Sequence, residues 1–234
     1  MDVQIVPLAD AAPDEAVVVI DVLRAFTVEP WLYARGITRL VAVQEPGDAV
    51  HLRDECLPGA LLAGEHGGRP LPGFDLGNSP TEVADHPSLV GATVLHRTSA
   101  GTQGLVRTIG SGTVLAASFV TAGATARLLQ ALAPSRVTFV ITGASLGRDG
   151  DEDLAAAELI AARARGEDPE VAGFVSRVSR SDAGRLFAPG GPDWAPPSDL
   201  VHCTAVDRFD RALVATPAAG LATEVPAVEV QLTG

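Results

Sequence analysis

Residues 17–24 read Val17-Val18-Val19-Ile20-Asp21-Val22-Leu23-Arg24, four consecutive β-branched residues followed at once by an acid. Such a run reads as a short buried strand, and Asp21 directly behind it is lifted to the sheet edge on a rigid support. Outward from this stretch, similar runs recur at 40–43, 60–63, 93–95, 113–117 and 137–142. Helical patterns lie between them at 27–35, 47–56, 80–84, 102–109, 121–132 and 151–165. Alternation of this kind predicts an α/β fold with a substantially parallel sheet.

Several boundaries carry their own chemistry. Gly36 stands where the first helix needs a left-handed residue to end, and Arg163, Arg165 and Gly166 close the last one in the same style. Ser79-Pro80-Thr81-Glu82 reads as an N-cap, a proline at the first helical position and a capping-box glutamate. Beyond residue 166 glycine and proline concentrate at 188–197, and apolar runs follow at 200–205, 212–215 and 227–232. Composition leaves open an appended subdomain or the far edge of the same sheet.

The formal net charge of −12 argues against a nucleic-acid surface, and no basic stripe is interleaved with aromatics. No apolar run reaches the length of a membrane span, and the acidic N-terminal region lacks the basic start of a signal peptide, so the cytoplasm is the expected location. Cys56 and Cys203 are too few for a disulfide framework and are expected as reduced thiols. All basic residues other than histidine are arginine, which composition alone explains, so each must be judged by its position.

Polar or glycine-rich residues follow five of the predicted strands: Asp21, Gly64-Glu65, Arg97-Thr98-Ser99, Ser118 and Gly143. In an open α/β sheet these ends form the ligand crevice. Asp21 suits a hard cation or attack on phosphorus, and Arg24 suits a phosphate oxygen pair. The blander alternative is that Asp21 caps the next helix and Arg24 pairs with it. Glu65 and Asp75, on the long glycine-bearing stretch 64–80, are candidate metal ligands or a general base. Asn78 and Ser79 introduce a helix N-terminus suited to an anion, whereas His66 and Arg69 read as surface loop. The turn Arg97-Thr98-Ser99-Ala100-Gly101-Thr102 can wrap N–H groups around phosphate, although it lacks the Walker A ending.

Asp149-Gly150-Asp151-Glu152-Asp153 begins like a calcium loop, but Leu154 and Ile160 occupy positions where glycine and glutamate are required. Acids in a first helical turn suit the helix dipole, and one of Glu152 or Asp153 is expected to face the crevice. Leu23 stands where an aspartate-nucleophile phosphatase of the haloacid dehalogenase type has its second aspartate. Cysteine-phosphatase, serine-elbow and zinc-ligand patterns are missing as well.

Taken in order, these segments closely resemble the 2-phosphosulfolactate phosphatase family. The resemblance is carried by Val19-Ile20-Asp21-Val22-Leu23-Arg24-Ala25, Gly64-Glu65, Gly73-Phe74-Asp75-Leu76-Gly77-Asn78-Ser79-Pro80 and Thr98-Ser99-Ala100-Gly101-Thr102. It continues in Ala117-Ser118-Phe119, Glu152-Asp153-Leu154 and Asp207-Arg208-Phe209-Asp210. It implies one three-layer α/β/α unit over residues 1–234 with a largely parallel or mixed central sheet. It also implies a magnesium-dependent hydrolase releasing phosphate from 2-phospho-3-sulfolactate, a step that belongs to coenzyme M biosynthesis in methanogens. Where many members have Thr-Thr-Asn-Gly-Thr, this chain has Thr98-Ser99-Ala100-Gly101-Thr102, and a Gly-Thr-Glu-Gly-like turn is replaced by Gly143-Ala144-Ser145-Leu146-Gly147.

The expected catalytic residues are therefore Asp21, Arg24, Glu65 and Asp75. Mg²⁺ is expected on some of Asp21, Glu65 and Asp75, with Glu152 or Asp153 added. Substrate is expected on Asn78, Ser79, Arg97, Thr98, Ser99, Gly101, Thr102 and Ser118. The nucleophile is either water or Asp21 itself. The expected partner is a small anionic phosphorylated hydroxy acid, not nucleic acid or membrane, with a homodimer as the assembly considered. The alternatives are a phosphatase for another 2-phospho-hydroxy acid and a non-catalytic anion-binding relative.

Overall fold

The computed structural model describes residues 1–233, apart from the side chain of Leu146. Its strands are β1 (Asp2–Pro7), β2 (Ala16–Ile20), β3 (Arg39–Val43), β4 (Leu61–His66), β5 (Arg69–Pro70), β6 (Thr93–Arg97), β7 (Thr113–Ala117), β8 (Arg136–Ile141), β9 (Ala212–Pro217) and β10 (Ala227–Thr233). The helices are α1 (Ala25–Ala34), α2 (Pro46–Glu55), α3 (Pro80–Asp85), α4 (Gly101–Thr108), α5 (Ala122–Leu132), α6 (Asp151–Ala164), α7 (Val171–Val178) and α8 (Pro197–Cys203). Every strand and helix expected up to residue 165 forms within a few residues of its predicted bounds.

All ten strands join one mixed sheet in the order β1-β8-β2-β7-β9-β10-β3-β6-β4-β5. Every residue of β2 is buried. Val17 and Val19 pack into a cluster with Phe26 of α1 and Leu105 of α4. Val18 and Ile20 face the opposite way, toward Ala126 and Leu129 of α5 and Leu159 of α6. A strand covered on both faces has no use for polar alternation, which is why its run is continuous. Beyond the centre of the sheet, Val41 and Val43 pack with Leu52 of α2, so helices cover both faces and the fold is a three-layer α/β/α sandwich.

The C-terminal third is neither an appended subdomain nor the far edge of the sheet. Strands β9 and β10 form an antiparallel pair in its middle, where β9 also pairs with β7 and β10 with β3. This insertion separates two parallel groups, β1-β8-β2-β7 and β3-β6-β4, and makes them run in opposite senses along the ladder. Sheet twist of about 20 to 25° per neighbouring pair turns the strand direction by roughly 100 to 125° over the five steps from β2 to β6. The carboxyl ends of both groups are thereby brought toward one another.

Among the described residues no helix is long and apolar enough to cross a membrane. Cys56 and Cys203 are free thiols, Cys203 buried.

Candidate active site

A cavity of about 590 Å³, mouth included, lies where the ends of β2, β4, β6 and β8 meet. Asp21 and Arg24 enter it after β2, Glu65 from the end of β4, and Gly67 and Gly68 from the β4–β5 turn. Ser99 and Ala100 follow β6, Thr142 and Gly143 follow β8, and Glu152 and Asp153 come from the first turn of α6. Asn78, Arg148, Phe187 and Trp194 complete the polar and aromatic lining. Four of the five expected strand ends thus contribute. Ser118 does not: it is fully buried, donates to the Phe26 carbonyl and accepts from Thr27 Oγ1, tying β7 to α1.

The four carboxylates in the cavity differ in what their oxygens have left to offer. Asp153 is spent on backbone: one oxygen accepts from Val22 N–H at 2.8 Å, the other from the N–H groups of Thr142 and Gly143 and from Thr142 Oγ1. It locks the ends of β2 and β8 together. Glu65 is spent likewise, accepting from the N–H groups of Ser99 and Gly68 and from Ser99 Oγ, so it joins the β4 turn to the loop after β6.

Asp21 and Glu152 are different. Asp21 Oδ1 accepts from Ala25 N–H at 3.0 Å, which is the expected capping role. Its Oδ2 lies where a Cβ on Gly101 would approach to 2.7 Å, so the start of α4 can abut this carboxylate only as glycine. Glu152 is 1% exposed, and its Oε2 has no hydrogen-bond partner. Its Oε1 lies where a Cβ on Gly143 would stand at 2.2 Å, which explains the glycine after β8.

Burial pushes the Asp21 carboxyl up to about 6 against the pull of the Ala25 N–H, with the charges of Glu65 and Glu152 adding to the rise. Burial also raises Glu152. It raises Asp153, helped by Glu152 and Asp21 and opposed by the N–H groups of Val22 and Gly143. Carboxylates gathered this way want a counter-charge.

Arg24 does not pair with Asp21. Its Nη1 donates to Asp199 Oδ2 at 2.7 Å and to the Trp194 carbonyl, and Nη2 donates to the Gly68 carbonyl. The guanidinium lies 5.3 Å from the Phe187 ring centroid and 6.0 Å from that of Trp194. It borders the cavity with three of its five N–H donors holding the C-terminal segment against the β4–β5 turn, and Nε–H and one Nη2–H have no partner among the described residues.

Several expected anion ligands are placed elsewhere. Arg97 turns away from the cavity and donates to the Gln44 and Glu65 carbonyls, clamping the ends of β3 and β4. Thr98 and Thr102 satisfy one another through reciprocal N–H to hydroxyl bonds. With Ser99 N–H given to Glu65, the N–H groups of Thr98, Ser99 and Thr102 are all used within the protein, which leaves those of Ala100 and Gly101 at the start of α4 as the turn's open donors. Gly101 packs against Asp21 rather than lining the cavity. Ser79 caps α3 by accepting Glu82 N–H and donates to Asp199. Asp75 is exposed and accepts Leu62 N–H near the start of β4, so it is carried away from Glu65 at the other end of that strand.

A family model described as 2-phosphosulpholactate phosphatase matches residues 4–184. The chain belongs to this family. A relative from Deinococcus radiodurans is 39% identical over 66% of this chain and 63% of its own length. One from Carboxydothermus hydrogenoformans is 41% identical over 52% and 49%, and one from Thermus thermophilus is 31% identical over 96% and 87%. All three bear the name probable 2-phosphosulfolactate phosphatase. The chain thus spans less than two thirds of the length of the first two relatives.

Phe187 and Trp194 lie beyond the segment matched to the family model yet line the cavity, and Asp199, also beyond it, holds Arg24 at the cavity edge. Their sequence context, a glycine- and proline-rich tract, carries no periodic signal. Arg148 was also missed. It is half-buried and lines the cavity beside the carboxylates, where its charge opposes the rise of Glu152.

Among the described residues no three His, Cys, Asp or Glu side chains form a ready metal-ligand group. Magnesium asks for less, because it is usually held by one or two carboxylates with water and phosphate oxygens completing its shell. The unpartnered Glu152 Oε2 and the cavity-facing Asp21 fit that demand. Glu65 and Asp153 have their oxygens occupied, and Asp75 is remote.

Proposed function

We propose that this chain is a magnesium-dependent phosphatase that hydrolyses 2-phospho-3-sulfolactate to sulfolactate and phosphate in the cytoplasm. The observation that carries the reading is the pairing of family membership with a cavity in which Asp21 and Glu152 offer carboxylate oxygens not consumed by the fold. The relatives' names supply the substrate.

In this reading Asp21 and Glu152 hold Mg²⁺. When bound, the ion supplies positive charge that admits a polyanion to an acidic cavity and stabilises charge on the phosphoryl group. Water supplies the oxygen that joins phosphorus as the ester P–O bond breaks, and its protons end on the released alcohol and phosphate. Asn78 and Arg148 bind the anionic oxygens, while Phe187 and Trp194 exclude bulk water. Glu65 and Asp153 keep the four strand ends in register, so that Asp21 and Glu152 face one space.

A second reading rests on Ala100. It puts a methyl group in the cavity lining where many family members have asparagine, which favours a related 2-phospho-hydroxy acid with fewer polar contacts. Phosphate release from 2-phospho-3-sulfolactate and 2-phospholactate, measured side by side with Mg²⁺, tests both. Preference for the sulfonate supports the first reading, preference for phospholactate supports the second, and release from neither overturns the assignment.

A further inference from the structure

Glu29 of α1 and His96 of β6 are fully buried, ionisable, and unused by the chemistry proposed above. His96 Nδ1 lies 3.1 Å from Glu29 Oε1, and its Nε2 lies 3.3 Å from Asn78 Oδ1. Glu29 presents a carboxyl to Nδ1, whereas the Asn78 amide could offer either end to Nε2, so the proton content of the Glu29–His96 pair decides which end faces the ring. Nε2 carries a hydrogen whenever the pair holds one proton more than a neutral imidazole beside an ionised carboxylate.

Burial of both groups favours that extra proton. With that proton the pair has no net charge, either as imidazolium with carboxylate or as imidazole with carboxylic acid, whereas without it a net negative charge sits in the core. Burial also raises the Glu29 carboxyl. The second oxygen, Glu29 Oε2, has no hydrogen-bond partner, a cost that an apolar side chain at this position would not incur.

An Nε2–H opposite Asn78 decides how that amide sits. Turning the amide over would set its NH₂ against another donor, so Oδ1 stays on His96 and the NH₂ end is left for the cavity that Asn78 lines. We propose that Glu29 and His96 are positioning residues that fix the Asn78 amide with its NH₂ toward an anionic oxygen of the bound ester. This rests on the reading of the cavity as a phosphate-ester site.

The test is a double-mutant cycle on the full chain, with kcat/KM for 2-phospho-3-sulfolactate read alongside the thermal midpoint. Asn78→Ala is expected to lower kcat/KM by about 100-fold, the cost of losing one oriented donor. His96→Leu is expected to do the same in the wild-type background and to cost less than about threefold when Asn78 is already alanine, because independent sites would add and coupled ones do not. An equal loss in both backgrounds overturns the proposal. Glu29→Gln, which can still donate to Nδ1 and keep hydrogen on Nε2, is expected to retain activity within a few-fold.

A second arm needs no turnover. The Asn78 side-chain NH₂ signals, assigned by their loss in Asn78→Ala, should shift when inorganic phosphate is added to the wild-type chain with Mg²⁺. Signals that stay fixed while the Gly67, Gly68 and Ser99 amides respond overturn the proposal. Failure of the wild-type chain to release phosphate from any ester tells instead against the functional reading.

Discussion

Arg24 and Asp199, 175 residues apart, form an ion pair at 2.7 Å with side chains 4% and 0% exposed. The pair anchors the tract around Trp194 to the β4–β5 turn, while Asp199 Oδ1 accepts from Ser79 Oγ and Thr81 N–H. Removing one partner of a buried pair leaves an uncompensated charge, which costs about 3 to 5 kcal/mol. Asp199→Ala should destabilise the chain by that amount in urea unfolding and lower activity by loosening the cavity wall. Asp199→Asn, which keeps the acceptor toward Ser79, should lose less.

Asp21 gives a pH prediction for the metal-free chain. Its carboxyl is raised from 3.8 to about 6 in the folded state, so between these values the folded protein holds a proton that the unfolded chain has released. The contribution to stability is intact below about pH 4, declines as pH rises through this window, and is lost above about 6. At about 1.4 kcal/mol per unit, Asp21→Asn should stabilise the metal-free chain by about 2 to 3 kcal/mol at pH 7 and flatten its profile from pH 4 to 6. The same variant should abolish phosphate release. Unfolding curves across pH, paired with an activity assay, check both halves.

Gly143 is the tightest constraint on Glu152, since a Cβ there would stand 2.2 Å from Oε1. Gly143→Ala should push the carboxylate out of position, and displacement of about 1 Å at a reacting centre can cost about 100-fold in rate. The expected signature is a large fall in kcat at saturating Mg²⁺ with a small change in thermal midpoint. Unchanged kinetics would show that Glu152 has room its surroundings do not suggest.

Much of this architecture was legible in residues 1–165. Buried strands such as 17–20 announce themselves as continuous β-branched runs, and Asp21, Glu65, Ser99 and Gly143 could be placed at the cavity because strand ends converge there. Three things were not legible. The first is the place of β9 and β10 in the sheet: their residues read as strand, but the partners Val43 and Val114 are set by long-range pairing that no local pattern encodes. The second is direction within loops. Asp75 and Arg97 sit in the right segments, yet Asp75 bonds Leu62 N–H and Arg97 turns to the Gln44 carbonyl. The third is the wall built from Phe187 and Trp194 and anchored through Asp199, in a tract without periodicity whose role appears only once Arg24 reaches it.

The most direct test of the central claim, that a divalent cation held by Asp21 and Glu152 enables hydrolysis, is phosphate release from 2-phospho-3-sulfolactate during Mg²⁺ titration after chelator treatment. The wild-type chain should be inactive without the ion and recover fully as it is restored. Glu152→Gln should need at least about tenfold more Mg²⁺ for half-maximal rate, corresponding to about 1.4 kcal/mol of lost binding. Undiminished activity in chelator, or an unchanged Mg²⁺ requirement in Glu152→Gln, would contradict the account.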